Sequence, residues 1–187
     1  MSTVPRVLYS KYFIAVFCIL SVASFALIGS INNSEQILVK RDIVIQEVNS
    51  DAELFKMVSQ IGPDPTLLVL YTSWCSNCVE KMPEIIQTIN EYDIKPMIIS
   101  LDTSKARLAS FLLEQQTINF VPYNVNSDFH AKFAYALSGR GVSFTGKIPF
   151  IVVLGDDRPP ITGISSVPML RAAIESVTTR RKSHVTY

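Results

Sequence analysis

The chain has 187 residues, of which 48% are hydrophobic, so it can form one domain with an ample core plus an additional segment. Its formal net charge is +1 at pH 7. A charge this close to zero argues against nucleic acid and other strongly charged partners.

The N-terminal region contains a charge-free hydrophobic run at 12–31, preceded by Arg6 and Lys11. About 20 such residues can cross a bilayer as a helix. The two cations predict that residues 1–11 stay in the cytoplasm and that the rest of the chain is exported. We therefore expect a membrane anchor at 12–31. A cleaved signal peptide is the alternative, because Ser-Phe-Ala at 24–26 is an imperfect small-x-small cleavage site.

The next segment leads into the folded domain. Residues 32–41 are polar enough to be a linker, and the alternation of apolar and polar residues at 42–48 predicts a strand. Ser50 and Glu53 match a capping box, which predicts that a helix begins there and ends at Gly62-Pro63. Four apolar residues are expected on its buried face: Leu54, Phe55, Val58 and Ile61.

A continuous apolar run at 66–71 has the length of a strand that is buried on both faces. Trp74-Cys-Ser-Asn-Cys78 follows it and opens a helix, which Pro83 is expected to kink. The unpaired N–H groups at a helix start favour a thiolate at Cys75, and Cys78 lies one turn later, where it can attack a mixed disulfide. An exposed Trp74 indole would shield the sulfurs. The buried face of this helix is expected to contain Cys78, Met82, Ile85, Ile86 and Ile89.

Two other interpretations of the cysteine pair are a zinc site and a structural disulfide. Zinc needs four ligands, but Cys18 lies in the apolar N-terminal run, and His130 and His184 are single and distant in sequence. A structural disulfide normally links distant segments, because so short a loop constrains the unfolded chain little. The pattern favours a redox pair that needs neither a cofactor nor a metal.

The rest of the chain continues the alternation of strands and helices, which predicts an α/β layer fold with a partly parallel sheet. One strand, 119–124, is expected at a sheet edge because Pro122 cannot donate a hydrogen bond to a neighbouring strand. The remaining predicted elements are a strand at 96–101, a helix capped within 102–104, a helix ending at Gly139, strands at 150–154 and 160–164, a final helix, and a basic tail at 180–187.

This order of elements resembles the thioredoxin fold. Trp74-Cys-Ser-Asn-Cys78 with Met82-Pro83 is similar to the W-C-x-x-C-x-x-x-M-P signature of the membrane-anchored TlpA/ResA/DsbE-like thiol–disulfide oxidoreductases. The resemblance implies a thioredoxin-like domain at 42–179, with a central mixed sheet flanked by helices.

The resemblance also implies roles for single residues. It makes Cys75 the nucleophile, Cys78 the resolving cysteine and Pro149 a cis-proline that faces the sulfurs. A cis X–Pro bond exposes the backbone of the preceding residue, Ile148, so Ile148 and Trp74 are the expected client-binding residues.

Two positions depart from the resemblance. Thioredoxins carry a buried acid on the strand before the motif, and that position is Val69 here. The TlpA-like group often has a glutamate before Met-Pro, where this chain has Lys81. Both departures remove negative charge near the sulfurs, which leaves the redox poise open.

The resemblance implies a disulfide reductase anchored in the bacterial inner membrane with its catalytic domain in the periplasm. Its expected partners are a membrane electron donor and protein clients with cysteine pairs, such as apocytochrome c or copper-oxidase assembly factors. The same residues also suit two alternatives, a disulfide oxidase or isomerase and a non-enzymatic Cu(I) chaperone.

Overall fold

The computed structural model describes residues 43–61, 64–115, 118–155 and 158–184, with side chains through residue 178. All of these residues belong to one structural unit, Arg41–Tyr187. The predicted membrane anchor at 12–31 and the linker at 32–41 lie outside the described residues. Within the described ranges, no helix combines the length and apolarity needed to cross a membrane.

Five strands form one sheet in the order β1-β4-β3-β2-β5. The neighbouring pairs among β1, β4, β3 and β2 are parallel, and β5 is antiparallel to β2. The sheet is therefore mixed, as predicted. The strands span Gln46–Val48 (β1), Thr66–Tyr71 (β2), Lys95–Ser100 (β3), Tyr123–Val125 (β4) and Phe150–Leu154 (β5).

Helices cover both faces of this sheet, and each face has its own apolar core. Residues of α2, α3 and α5 pack on one face, and residues of α1 and α4 pack on the other. The helices span Asp51–Ser59 (α1), Ser76–Glu91 (α2), Lys105–Glu114 (α3), His130–Ser138 (α4) and Val167–His184 (α5), with a 3-10 turn at Ser127–Phe129 before α4.

The central strand β2 contributes to both cores. Leu67, Val69 and Tyr71 point to the α2 side, and Leu68 and Leu70 point to the α1 side, since side chains alternate along a strand. All five are fully buried. Burial of such a side chain stabilises the fold by about 1.5–3 kcal/mol, so the strand that leads into the cysteine motif is firmly held.

The prediction of an edge strand at 119–124 is wrong. The observed strand, β4, lies between β1 and β3 in the interior of the sheet. Pro122 precedes this strand, and its carbonyl oxygen accepts a hydrogen bond from the Gln46 N–H at 2.9 Å. Pro122 therefore lies before the strand, where its missing N–H does not interrupt the hydrogen bonds between neighbouring strands.

Two other predicted details differ in the structure. Phe55 is 77% exposed, and Met57 occupies the core position instead, because it lies three residues after Leu54 on the same helix face. The strand predicted at 160–164 is reduced to a single antiparallel bridge between Ile161 and Val153. The final helix continues to His184, into the segment predicted as a tail.

Candidate active site

Cys75 is the N-cap residue of α2, directly after the turn that follows β2. Its backbone is extended, and its sulfur accepts a hydrogen bond from the Cys78 N–H at 3.3 Å. Its carbonyl oxygen accepts the first helical hydrogen bond, from the Val79 N–H at 3.0 Å. The sulfur therefore takes the place that a serine or aspartate oxygen takes at other helix starts, facing the positive end of the helix dipole.

The second cysteine lies directly behind the first. Both are free thiols, and the Cys78 thiol donates to the Cys75 sulfur with the two sulfurs 2.6 Å apart. Cys75 is half-buried, whereas only 1% of Cys78 is exposed. Cys75 is therefore the more accessible of the two sulfurs.

The environment of Cys78 opposes its ionisation. Burial is the largest cause of the raised pKa of Cys78, followed by its hydrogen bond with Cys75. The charges of Cys75 and Asp102 also raise this pKa. A backbone hydrogen bond at Thr72 acts the other way. Together these effects raise the pKa of Cys78 to about 12, so the inner sulfur is a neutral thiol at physiological pH.

The loop before β5 approaches the outer sulfur. The Ile148–Pro149 peptide bond is cis, as expected, and the Ile148 carbonyl oxygen lies 4.0 Å from Cys75 Sγ. Ile148 and Pro149 are half-buried, and Trp74, the residue before Cys75, is 60% exposed. Backbone polar groups and an apolar ring are thus accessible next to the reactive sulfur.

The structure describes both positions that depart from the resemblance, Val69 and Lys81. Val69 is fully buried in β2, where it is paired with Ile98 on β3 and Ile151 on β5. Lys81 is half-buried, and its ammonium group donates to the backbone carbonyl of Ser165 in the segment before α5. The charged Lys81 side chain is therefore hydrogen-bonded to the segment that leads into α5.

A buried carboxylate that the sequence did not single out lies beside the motif. Asp102 is 2% exposed and follows β3. It accepts hydrogen bonds from the backbone N–H and the hydroxyl of Ser73, both at 2.8 Å, and from the Ser100 hydroxyl at 2.8 Å. The helix cap predicted within 102–104 is Ser104, whose oxygen accepts from the Arg107 N–H.

The sequence contains a signal that could have identified Asp102 as a neighbour of the cysteine motif. Asp102 comes directly after an apolar strand, and the strand before the cysteine motif is parallel to it. Because the carboxyl ends of parallel strands meet at one edge of a sheet, residues that follow them come together.

No metal site accompanies the cysteines in the part of the chain that the structure describes. A cluster of three or more His, Cys, Asp or Glu side chains that could hold an ion is absent among these residues.

Comparison with solved structures identifies the fold. The chain is similar to the thioredoxin domain of a thiol–disulfide oxidoreductase from Bacteroides vulgatus, with a TM-score of 0.52 and 12% identity, over 63% of this chain and 81% of that one. It has the thioredoxin fold.

Two further structures with the thioredoxin fold match to a similar extent. A thiol:disulfide interchange protein from Bacteroides sp. has a TM-score of 0.52 and 13% identity, over 67% of this chain and 80% of that one. A thiol:disulfide interchange protein of the thioredoxin family from Chlorobium tepidum has a TM-score of 0.50 and 14% identity, over 64% and 83%. No protein-family model matches the chain, and no curated protein matches its sequence.

Proposed function

We propose that the protein is a thiol–disulfide oxidoreductase that reduces disulfides in client proteins through Cys75 and Cys78. The observation that carries this proposal is the pairing of a half-buried sulfur at a helix N-cap with a fully buried sulfur 2.6 Å behind it. The names of the similar structures, thiol–disulfide oxidoreductase and thiol:disulfide interchange protein, support the same reaction class.

The reaction has two exchange steps. The Cys75 thiolate attacks one sulfur of a client disulfide, which forms a Cys75–client bond and releases the other client sulfur as a thiolate. The Cys78 thiolate then attacks Cys75 Sγ, which forms the Cys75–Cys78 disulfide and releases the second client thiolate. Two electrons pass from the cysteine pair to the client, and an electron donor must reduce the pair again.

The surface around Cys75 suits an extended client segment. The Ile148 carbonyl 4.0 Å from Cys75 Sγ is placed to accept a backbone hydrogen bond, as in strand addition at a sheet edge. The exposed Trp74 ring offers apolar contact on the same short segment as the nucleophile. We propose these two residues as the client-binding residues, with Pro149 fixing the course of the Ile148 backbone.

The proposed direction of electron flow, from the cysteine pair to the client, rests on the resemblance to TlpA/ResA/DsbE-like proteins. A disulfide oxidase or isomerase would use the same two residues with a higher reduction potential.

We further propose that the protein acts outside the cytoplasm, anchored in the bacterial inner membrane by residues 12–31. The charge-free run and the preceding cations Arg6 and Lys11 support this location. The resemblance to TlpA/ResA/DsbE-like proteins extends the proposal to cytochrome c maturation or oxidase assembly. The clients would then be apocytochromes c, whose Cys-x-x-Cys-His must be reduced before haem attachment, or copper-oxidase assembly factors.

Trapping of the mixed disulfide tests the proposed reaction. Cys78→Ser removes the resolving thiol, so clients should remain bonded to Cys75 until a reductant is added. The matched control is Cys75→Ser, which keeps Cys78 but should trap few clients because Cys78 is buried. A synthetic peptide with an oxidised Cys-x-x-Cys-His pair serves as a defined client in parallel.

The identity of the trapped partners decides among the functions. Exported proteins with closely spaced cysteine pairs, together with reduction of the peptide by the wild-type protein, would support the proposal. Partners with distant structural cysteines would indicate an oxidase or isomerase instead. No trapped client, combined with stable Cu(I) binding by the wild type, would contradict the enzyme function.

A further inference from the structure

We propose that the folded domain rests on the lipid bilayer through an apolar patch at the point where the chain enters it. The patch is formed by Ile43, Val44, Ile118, Phe120 and Val121. Contact between this patch and the lipid directs the cysteine pair towards the aqueous compartment. This inference rests on the proposed function, in which residues 12–31 anchor the chain in the membrane.

Two chain segments that lead into strands come together in the patch. The Gln46 N–H donates to the Pro122 carbonyl oxygen at 2.9 Å, and the parallel pairing of β1 with β4 places Gln46 opposite Tyr123. Val44 and Val121 each lie two residues before this pair, so they come to the same level at the side of the sheet. Val44 is 73% exposed and Val121 is 53% exposed.

A cleft of about 280 Å³ opens beside these valines. Ile43, Ile118 and Phe120 line it, and all three are half-buried against the core on the α2 side of the sheet. Gln115 also lines the cleft, and its side-chain amide donates to the Phe111 carbonyl oxygen at 3.2 Å. Among the described residues that line the cleft, none is charged. The surface can therefore enter an apolar environment without the cost of desolvating a charge.

The chain reaches the folded domain at this patch. Ile43 is the first residue that the structure describes, and only residues 32–42 separate it from the predicted anchor. Even a fully extended linker of this length spans at most about 36–40 Å. The anchor therefore keeps the patch within that distance of the bilayer, closer than it needs to keep any surface further along the chain.

The composition of the patch fits lipid better than a protein partner. Residues that dominate protein–protein binding are enriched in Trp, Tyr and Arg, whereas Val is under-represented among them. Both strongly exposed side chains of the patch are valines. Lys40 and Arg41 come shortly before Ile43 in the sequence. Apolar side chains with cations close by suit a bilayer surface, where the side chains enter the acyl boundary and the cations meet lipid phosphates.

The cysteine pair lies towards the other end of the sheet. The register places Tyr123 opposite Ile99 and Ile99 opposite Leu70, so Val121 is level with Leu68, near the start of β2. From there β2 continues to Tyr71, a rise of about 10 Å, before the turn that leads to Cys75. A bilayer against the patch would therefore leave the nucleophile accessible to clients in the aqueous compartment.

Quenching of tryptophan fluorescence by brominated lipid tests the proposal. Bromine atoms on the acyl chains quench a tryptophan only when its ring enters the bilayer. The chain has a single tryptophan, Trp74, so the wild-type protein reports on the active-site end. The full-length chain is reconstituted in vesicles of phosphatidylcholine and phosphatidylglycerol, with and without bromine on the phosphatidylcholine. Flotation of the chain with the vesicles reports on the anchor separately.

Val121→Trp combined with Trp74→Phe moves the single tryptophan to the patch. We expect it to lose about half of its fluorescence in brominated vesicles, because apolar groups of an interfacial surface lie about 5–10 Å deep at the acyl boundary. The wild-type Trp74 should not be quenched. The matched control is Phe55→Trp with Trp74→Phe, since Phe55 is exposed on α1, which packs on the opposite face of the sheet. It should not be quenched either.

Val44→Asp distinguishes contact through the patch from mere closeness of the tether. Val44 is exposed, so the variant should fold, and near-ultraviolet circular dichroism verifies this. Added to Val121→Trp with Trp74→Phe, it should abolish most of the quenching, because a carboxylate enters lipid only at a high cost. The matched control, Phe55→Asp in the same background, adds the same charge outside the patch and should leave the quenching unchanged.

Several results would overturn the proposal. An unquenched tryptophan at position 121 in a chain that floats would show that the patch stays off the bilayer, and a blue-shifted emission there would indicate a protein partner or a second copy instead. Equal quenching at positions 121, 74 and 55 would show that the domain has no preferred face. Unchanged quenching in Val44→Asp would attribute the approach to the short linker alone.

The flotation result separates this proposal from the proposed function. A chain that does not float with the vesicles would contradict the anchor, and this proposal with it. A chain that floats without quenching at position 121 would contradict the patch and leave the anchor standing. Disulfide exchange at the cysteine pair is tested independently by the trapping experiment, because none of the patch residues belongs to the proposed client-binding surface.

Discussion

The two cysteines differ in exposure, and that difference assigns their proposed roles. Cys75 caps the helix and is half-buried, whereas Cys78 is 1% exposed and faces the core. Behind them lies Tyr71, whose hydroxyl is buried and has no hydrogen-bond partner among the described residues. Its ring packs against Phe111 of α3 at 5.9 Å between centroids. The ring thus contributes apolar packing, and the hydroxyl adds a desolvation cost without a compensating bond.

Tyr71→Phe should therefore leave the free energy of unfolding unchanged or raise it by about 1 kcal/mol, since a buried hydroxyl without a partner costs about 1–3 kcal/mol. Denaturant unfolding of the reduced protein measures this. The matched control is Tyr123→Phe, because the Tyr123 hydroxyl donates to Gln60 Oε1 at 3.1 Å. That variant should lose about 0.5–1.5 kcal/mol. A larger loss for Tyr71→Phe than for Tyr123→Phe would contradict this account of Tyr71.

At the scale of elements, the close packing of α5 against the end of β5 depends on a glycine. Gly155 directly follows β5, and a Cβ atom placed on it would lie 2.7 Å from Val177 Cγ1 and 2.8 Å from Val177 Cβ. Val177 is buried on α5 in the same core as Cys78. The helix can pack this close to the sheet because residue 155 has no side chain.

Gly155→Ala should destabilise the protein by about 1–3 kcal/mol, because the added methyl group overpacks a well-filled core. Thermal unfolding measures the loss. Gly139→Ala is the matched control, since its Cβ would meet only the Ala136 carbonyl oxygen at 3.4 Å and its φ of −64° suits any residue. It should be neutral or stabilising by up to about 1 kcal/mol. Equal melting temperatures for the two variants would show that α5 shifts freely away from β5.

At the scale of the whole molecule, the compartment in which the cysteine pair works determines whether the pair needs a supply of electrons. A free pair outside the cytoplasm is oxidised unless electrons reach it, so a reductant there depends on a donor. The charge-free run at 12–31 and the cations ahead of it bear directly on this question.

We predict that a phosphatase reporter fused after Val177 is active and that the full-length protein stays in the membrane fraction after a carbonate wash. The reason is that the uncharged run can span the bilayer, while Arg6 and Lys11 keep the N-terminus in the cytoplasm. Replacing Arg6 and Lys11 with glutamate should reduce reporter activity. Release of a shorter soluble product would favour a cleaved signal peptide, and an inactive reporter in the wild type would contradict export.

Local rules predicted most of the fold. The strands β2, β3 and β5 and the helix after the cysteines were expected near their observed positions, because continuous apolar runs and helical spacing carry strong signals. The capping box at Ser50 and Glu53 was also expected, and Glu53 N–H donates to Ser50 Oγ at 3.3 Å. Hydrophobicity alone misplaces Phe55, because its angular position on the helix directs the side chain away from the core.

A strand, a turn and a helix place Cys75 at a helix cap and Cys78 one turn later, and residues close together in the chain are enough to predict this arrangement. The surroundings of the pair depend instead on contacts between distant segments. The contacts of Asp102 and the position of β4 come from pairing between segments far apart in sequence, and one-dimensional patterns do not specify which strands become neighbours. The pairing of β3 with β2 brings Asp102 to the same edge of the sheet as the cysteine motif, and its charge is one of the causes that raise the pKa of Cys78.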